Sequence, residues 1–157
     1  MKTVLISMSV LILGILSGRA QSNVEEIDFI QSIFGAEKKQ ITSMFINLEG
    51  QQADAFWKLY DEYEVKRKLL GKERFELIRR YAEEYSGITA EQTDELMGKA
   101  IKLRNANNKL VDTYYKKIRK AAGSIAAAQF HQLESYIQAE IRTELFESIP
   151  IIGELDD

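Results

Sequence analysis

Gln51 to Tyr85 reads QQADAFWKLYDEYEVKRKLLGKERFELIRRYAEEY. Phe56, Leu59, Tyr60, Tyr63, Leu70, Leu77, Ile78, Tyr81 and Tyr85 recur at steps of three and four, the spacing that puts side chains on one face of an α-helix. At 1.5 Å per residue the stretch predicts a helix about 50 Å long. Gly71 lies inside it and costs about 1 kcal/mol against alanine, so a bend or a close contact is expected there.

Outward from this stretch the same rhythm continues. Ser86-Gly87 breaks it, and Thr89 opens T-A-E-Q, in which Thr89 can cap a new helix while Gln92 reaches back to its start. That helix runs to about Ala122, with Leu96, Ala100, Leu103, Leu110 and Tyr114 on one face beside Met97, Ile101, Val111, Tyr115 and Ile118. Gly123 stops it and Ser124 can cap a last helix, whose stripe is Phe130, Leu133, Ile137, Ile141 and Leu145 and which Pro150 closes. Upstream, Ile27, Ile30, Ile33 and Phe34 form a short helical stripe that Gly35 can end, with a second short helix from Ala36 to Leu48. Pro150 is the only proline and no strand-like alternation stands out. Each long helix has one apolar stripe and short connections, so neighbours must cover one another in antiparallel fashion. The expected fold is all-α, an antiparallel long-helix hairpin or bundle of about four helices. Pairing around Ser86–Thr89 brings Lys72 level with Leu103 and Lys66 with Lys109.

The N-terminus predicts export. Lys2 precedes the apolar run VLISMSVLILGIL (Val4 to Leu16), then SGRAQ, which places a cut between Ala20 and Gln21. The run is shorter than the roughly 20 apolar residues a bilayer span needs, so a cleaved signal peptide (1–20) and a single helical domain (21–157) are expected. No later segment is apolar enough to span, which points to a periplasmic or secreted protein without an integral membrane segment after processing.

After that cut the net charge is −5, divided into blocks. Residues 66–120 hold 15 basic and 8 acidic residues, net +7, against −12 for the rest of the mature chain. Within the basic block Lys102, Lys109 and Lys116 are seven apart, flanked by Lys99 and Lys120, forming a stripe opposite the apolar face. Such a stripe is either a solvated outer face or the contact for an acidic client, an anionic membrane surface or the acidic end of a second subunit. Nucleic acid is not an expected partner of an exported acidic protein.

Catalytic chemistry finds few residues to use. There is no cysteine, so neither a thiolate metal site nor a cysteine nucleophile is possible. His131 is the single histidine, with no nucleophile elbow or glycine-rich loop nearby. One imidazole is poor provision for a transition metal, and Glu83-Glu84 and Glu140/Glu144 have the spacing of solvent-facing acids. No enzyme activity, metal or cofactor is expected. A hydrolase with an unrecognised carboxylate site ranks last among the readings.

The tyrosines Tyr60, Tyr63, Tyr81, Tyr85, Tyr114, Tyr115 and Tyr136 mostly fall on or beside apolar stripes. One reading is a core of amphipathic aromatics with hydroxyls at the rim. The other is an adaptable surface gripping apolar polypeptide, in which Tyr60, Tyr63, Tyr114 and Tyr115 join Arg67, Lys99, Lys102, Lys109 and Lys116 in a client-binding set. Arg104, Asn107 and Asn108 interrupt the apolar arc of the helix that Thr89 opens, so that stretch either faces a groove or pairs across the hairpin with Arg67 and its neighbours.

ITAEQ, residues 88–92, resembles the LTxxQ motif of the Spy/CpxP-type periplasmic helical proteins, and INLEGQQADAFWKLYDEYE looks like a second copy. The chain is also similar to a group of exported helical proteins in FWKLYDEYE (Phe56, Trp57, Tyr60, Tyr63), in YAEEY and in FHQLE (Phe130, Gln132, Glu134), over most of residues 36–152. The resemblance implies a helical hairpin dimer forming a cradle. It also implies an ATP-independent holdase for unfolded protein, or an envelope-stress regulator binding a sensor or anti-sigma partner. The histidine-rich metal features of some relatives are absent, so metal sensing does not follow.

Overall fold

The computed structural model describes residues 24–152, with side chains from Phe34 onward, and the expected signal peptide lies outside them. Four helices follow one another: α1 (Val24–Phe45), α2 (Gly50–Glu84), α3 (Ala90–Ala122) and α4 (Ser124–Ser148). No strand occurs among the described residues, and no helix there is long and apolar enough to cross a membrane. The all-α expectation holds.

The turns explain why the helices fold back. At the α2–α3 turn the capping box is complete: the Thr89 hydroxyl accepts from the Gln92 amide at 3.2 Å, and the Gln92 side chain accepts from the Thr89 amide at 2.9 Å. Two orphan donors of the helix start are thus satisfied. Arg80 adds a two-pronged bond to Glu95 (2.7 and 2.9 Å) across the same turn. The α3–α4 turn is a single residue. Gly123 takes φ +96°, ψ 166°, a conformation essentially closed to residues with a Cβ. Gly123 is the N-cap of α4 and Ser124 is its first helical residue, so the expected Ser124 side-chain cap is corrected: none forms.

The core lies where α2, α3 and α4 meet. Phe56, Tyr60 and Tyr63 from α2, Val111, Tyr114 and Ile118 from α3, and Phe130 from α4 are buried, with Ile46 closing the end. Ala122, Ala126 and Ala127 are small and buried, which lets the backbones approach beside Gly123. Tyr63 meets both Tyr114 and Phe130 edge-on, with ring centroids 5.5 and 5.1 Å apart. Such edge contacts add about 0.5–1.5 kcal/mol each beyond the area they bury.

Helix α1 departs from expectation in two ways. It runs through Gly35 without interruption, so the expected break into two short helices is corrected. Gly35 is buried, and a Cβ there would stand 3.4 Å from both the Glu64 carboxylate and the Lys68 side chain. The glycine serves close approach to α2 rather than termination. The second departure is polarity. The buried described residues of α1 are Gly35, Lys38 and Thr42, whereas Met44 and Phe45 are exposed. This helix turns a polar stripe inward.

That stripe is tied down by charge. Lys38 Nζ is wholly buried and lies 2.6 Å from Glu64 and 2.5 Å from Glu134. The Tyr63 hydroxyl donates to Glu134 at 2.6 Å, and Arg67 Nε donates to Glu64 at 2.9 Å. Two cations and two carboxylates balance, and α1, α2 and α4 are joined at one point. The Tyr60 hydroxyl lies 3.2 Å from that of Thr42. Burial first, and then the neighbouring Glu64, pushes the Tyr60 phenol well above its usual range; burial and Glu134 do the same to Tyr63.

Candidate interaction surface

The predicted client-binding residues divide between two places. Tyr60, Tyr63 and Tyr114 are at most 1% exposed, so the structure corrects the surface reading for them: their rings form the core. The hydroxyls do not sit at a rim either. Those of Tyr60 and Tyr63 face the buried Lys38 cluster, and that of Tyr114 is buried without a hydrogen-bond partner. Arg67 is also drawn inward, its side chain 11% exposed, with the guanidinium 4.8 Å from the Phe34 ring centroid. Tyr115 is half-buried, edge-on to His131 at 5.7 Å. A stripe of tyrosines has the same spacing whether it lines a core or a groove, so sequence alone left both readings open.

The lysines do lie together on a surface. Lys99, Lys102, Lys109 and Lys116 are all exposed on α3. The positions that α3 buries, Leu96, Leu103, Val111, Tyr114 and Ile118, fall on its other side. Lys99 is bound to Glu95 at 2.7 Å. Lys66 from α2 and Lys117 from α3 hold their ammonium groups over the Tyr114 ring, 5.5 and 4.6 Å from its centroid.

Two exposed apolar side chains accompany this charge. Val65 and Leu69, one helical turn apart on α2, are 64% and 61% exposed. The pairs Arg80–Glu95 and Glu62–Lys117 set the antiparallel register of α2 and α3, and between them Val65 and Leu69 fall level with Lys109 and its neighbours. The result is an α2/α3 face with a small apolar centre in a mainly basic frame, to which Glu62 and Asp112 add acids at one end and Glu73, one turn beyond Leu69, an acid at the other. Of the polar interruption in α3, Arg104 and Asn108 are exposed and Asn107 is buried. Asn107 bonds the Leu103 carbonyl of its own helix at 3.0 Å instead of reaching α2.

The tip of this hairpin is held by charge. Hydrogen bonds from Arg80 and then Lys99 pull the Glu95 carboxyl down to about 2. A carboxyl depressed in the folded state stabilises it above the ordinary carboxylate range and loses that contribution as pH falls through its folded value. The protection of the Ser86–Thr89 amides against exchange, relative to their intrinsic rates, should therefore fall between about pH 4.5 and pH 2 in the wild type. Glu95→Gln should show the low protection already at neutral pH. Equal, pH-independent protection in both proteins would show that the clamp holds nothing.

His131 stands on α4 beside α3. It is half-buried with Nε2 3.4 Å from the Asp112 carboxylate, and the hydroxyl of Ser135, one turn on, donates to the His131 backbone carbonyl at 2.8 Å. Among the described residues no group of three or more His, Cys, Asp or Glu side chains is arranged to hold a metal. A groove of about 450 Å³ lies on the opposite side of the bundle, between α1 and α4, lined by Ile41, Met44, Phe45, Leu133, Tyr136 and Ile137 with glutamines at its edge. It holds no pair of acids facing each other. Sequence reasoning missed Lys38 as a buried cation. The one available signal was its spacing from Gly35 and Thr42 along a single helical stripe. No family model, curated protein or solved structure matches the chain.

Proposed function

We propose that this protein is a non-catalytic, protein-binding helical module of the cell envelope, and that it holds unfolded or partly folded polypeptide without ATP. The observation that carries the reading is the α2/α3 face, where Val65 and Leu69 stand exposed amid Lys66, Lys102 and Lys109. An unfolded acidic segment offers the complementary features, apolar side chains for the centre and carboxylates for the frame. The likeness of ITAEQ to the Spy/CpxP motif and the apolar leader support the envelope setting.

Charge on such a face speeds encounter, and the apolar contacts hold what has arrived. Exposed charges are screened beyond about 8–10 Å at physiological salt, so capture should weaken as salt rises. Reversing Lys102, Lys109 and Lys116 to glutamate should slow suppression of client aggregation at low salt, with the helical circular dichroism unchanged. A folded triple variant that protects an acidic client as fast as wild type would reduce the stripe to a solvated face. If wild type protects no client and one stoichiometric envelope partner is captured instead, the holdase reading gives way to a regulatory one.

A further inference from the structure

Arginines from two helices come to one level between α2 and α4. The Tyr63 hydroxyl donates to Glu134 and the Tyr81 hydroxyl to the Pro150 carbonyl, so α2 and α4 run parallel and are tied at two heights. Arg67 and Arg74 lie between these ties, seven residues apart on the stripe of α2 that carries both tyrosines. Arg142 lies between the same ties on α4. Contacts with α3 place Arg74 and Arg142 at a common height. Arg80–Glu95 and Glu62–Lys117 bring Arg74 level with residues 101–105 of α3, and Asp112–His131 brings Arg142 level with Ile101. Leu103, which α3 buries, stands at that height too.

The charge here is not balanced as it is around Lys38, where Lys38 and Arg67 offset Glu64 and Glu134. Arg74 is half-buried, and the charged neighbours that act on it, Arg67 and Arg142, are both positive. Burial first, and then these two guanidiniums, hold Arg74 below the ordinary arginine range. Among the described residues no carboxylate forms an ion pair with Arg74 or Arg142. Of the acids nearby in sequence, Glu76 is bound to Arg79, Glu73 and Glu140 are exposed, and Glu144 is half-buried. A cation drawn partly out of water beside others of its own sign is costly unless an anion accompanies it.

We infer that Arg74 and Arg142, with Arg67 at the inner end, bind a phosphate dianion, either free or as the terminal group of a phosphomonoester. Two guanidiniums remain once the Lys38 cluster is balanced, and a phosphate group carries about −1.5 to −2 at pH 7. A single carboxylate would offset only one of them. The chemistry of the donors fits as well, because a guanidinium presents a planar fork that gives two parallel hydrogen bonds to phosphate oxygens. Arg142 is exposed and Arg74 half-buried, so the anion enters past Arg142 and an ester group can stay in solvent on that side. Arg67, whose Nε donates to Glu64, is fixed in place and marks the inner boundary. Val65 and Leu69 have no part in this site, so it stands independently of the proposed client binding.

The test is calorimetric titration of the protein with inorganic phosphate, at an ionic strength held constant with sodium chloride. It should give one site per chain with a Kd below about 1 mM. Arg74→Met and Arg142→Gln should each weaken binding at least about 10-fold, the loss expected for charge-assisted hydrogen bonds. Lys58→Gln, which removes an exposed charge elsewhere on α2, should bind as wild type does. Glycerol 3-phosphate separates the two sources: affinity equal to that of phosphate supports a terminal phosphate group, and binding of phosphate alone supports the free ion. No saturable binding above the chloride background, or equal binding by wild type and Arg74→Met, would overturn the site. Urea unfolding without phosphate gives a second readout. Arg74→Met should be at least as stable as wild type there, because it removes a half-buried cation from among like charges and keeps an unbranched apolar stem. A loss of about 10-fold or more in the folding equilibrium would mean that a carboxylate of the chain itself balances Arg74, and would overturn the site equally.

Discussion

Lys38→Met should destabilise the protein by about 3–5 kcal/mol in urea unfolding, more than most single changes. The reason is what it leaves behind. Glu64 and Glu134 would lose the cation between them, and Glu134, with 2% of its side chain exposed, has no water to replace it. Arg67 would still neutralise Glu64, and Tyr63 would still donate to Glu134, but one buried negative charge would remain uncompensated. The double variant Lys38→Met/Glu134→Gln removes one charge of each sign and keeps the Glu64–Arg67 pair. It should recover more than half of the loss, because replacing a buried ion pair as a unit is often nearly neutral where breaking it is not. A loss below about 1 kcal/mol for Lys38→Met would mean that water reaches the cluster and that α1 is held in another way.

Phe130→Ala should cost about 3–5 kcal/mol, measured in the same denaturation experiment. Phe130 is 1% exposed and packs at the crossing of three helices, with its ring against Tyr63. Ala126 and Ala127 lie one turn before it and have no side chain that could swing into the space. The cavity would therefore persist, and the lost contacts would add to the lost transfer energy. Phe130→Leu keeps most of the volume and should cost less than about 1.5 kcal/mol. Equal losses for the two variants would show that α4 shifts to refill the site. The Phe130 environment would then be more plastic than this packing implies.

The features legible in the residues alone are local in origin. The three-four rhythm of residues 51–85 depends only on neighbours within two turns, and it produced α2 almost to its ends. T-A-E-Q closes its capping box with groups three residues apart. Gly123 ends α3 because a conformation essentially reserved for glycine makes the turn there. The outward position of Lys102, Lys109 and Lys116 follows from helical geometry once the opposite stripe is known to be buried.

Which face of α1 turns inward depends on contacts between helices far apart in the chain. Gly35 looks like a helix stop until α2 comes to lie against it, and only then does its missing side chain become the point. Lys38 can be buried because Glu64 and Glu134 arrive from two other helices, and no local pattern reports that. The same holds for Tyr60 and Tyr63: their spacing suits a core or a groove equally, and the hydroxyls turn inward because Thr42 and Glu134 receive them. Periodicity states which residues share a face. Whether that face meets water, a neighbouring helix or another chain depends on partners far along the sequence, because a buried polar group is tolerated only where distant elements complete its bonds.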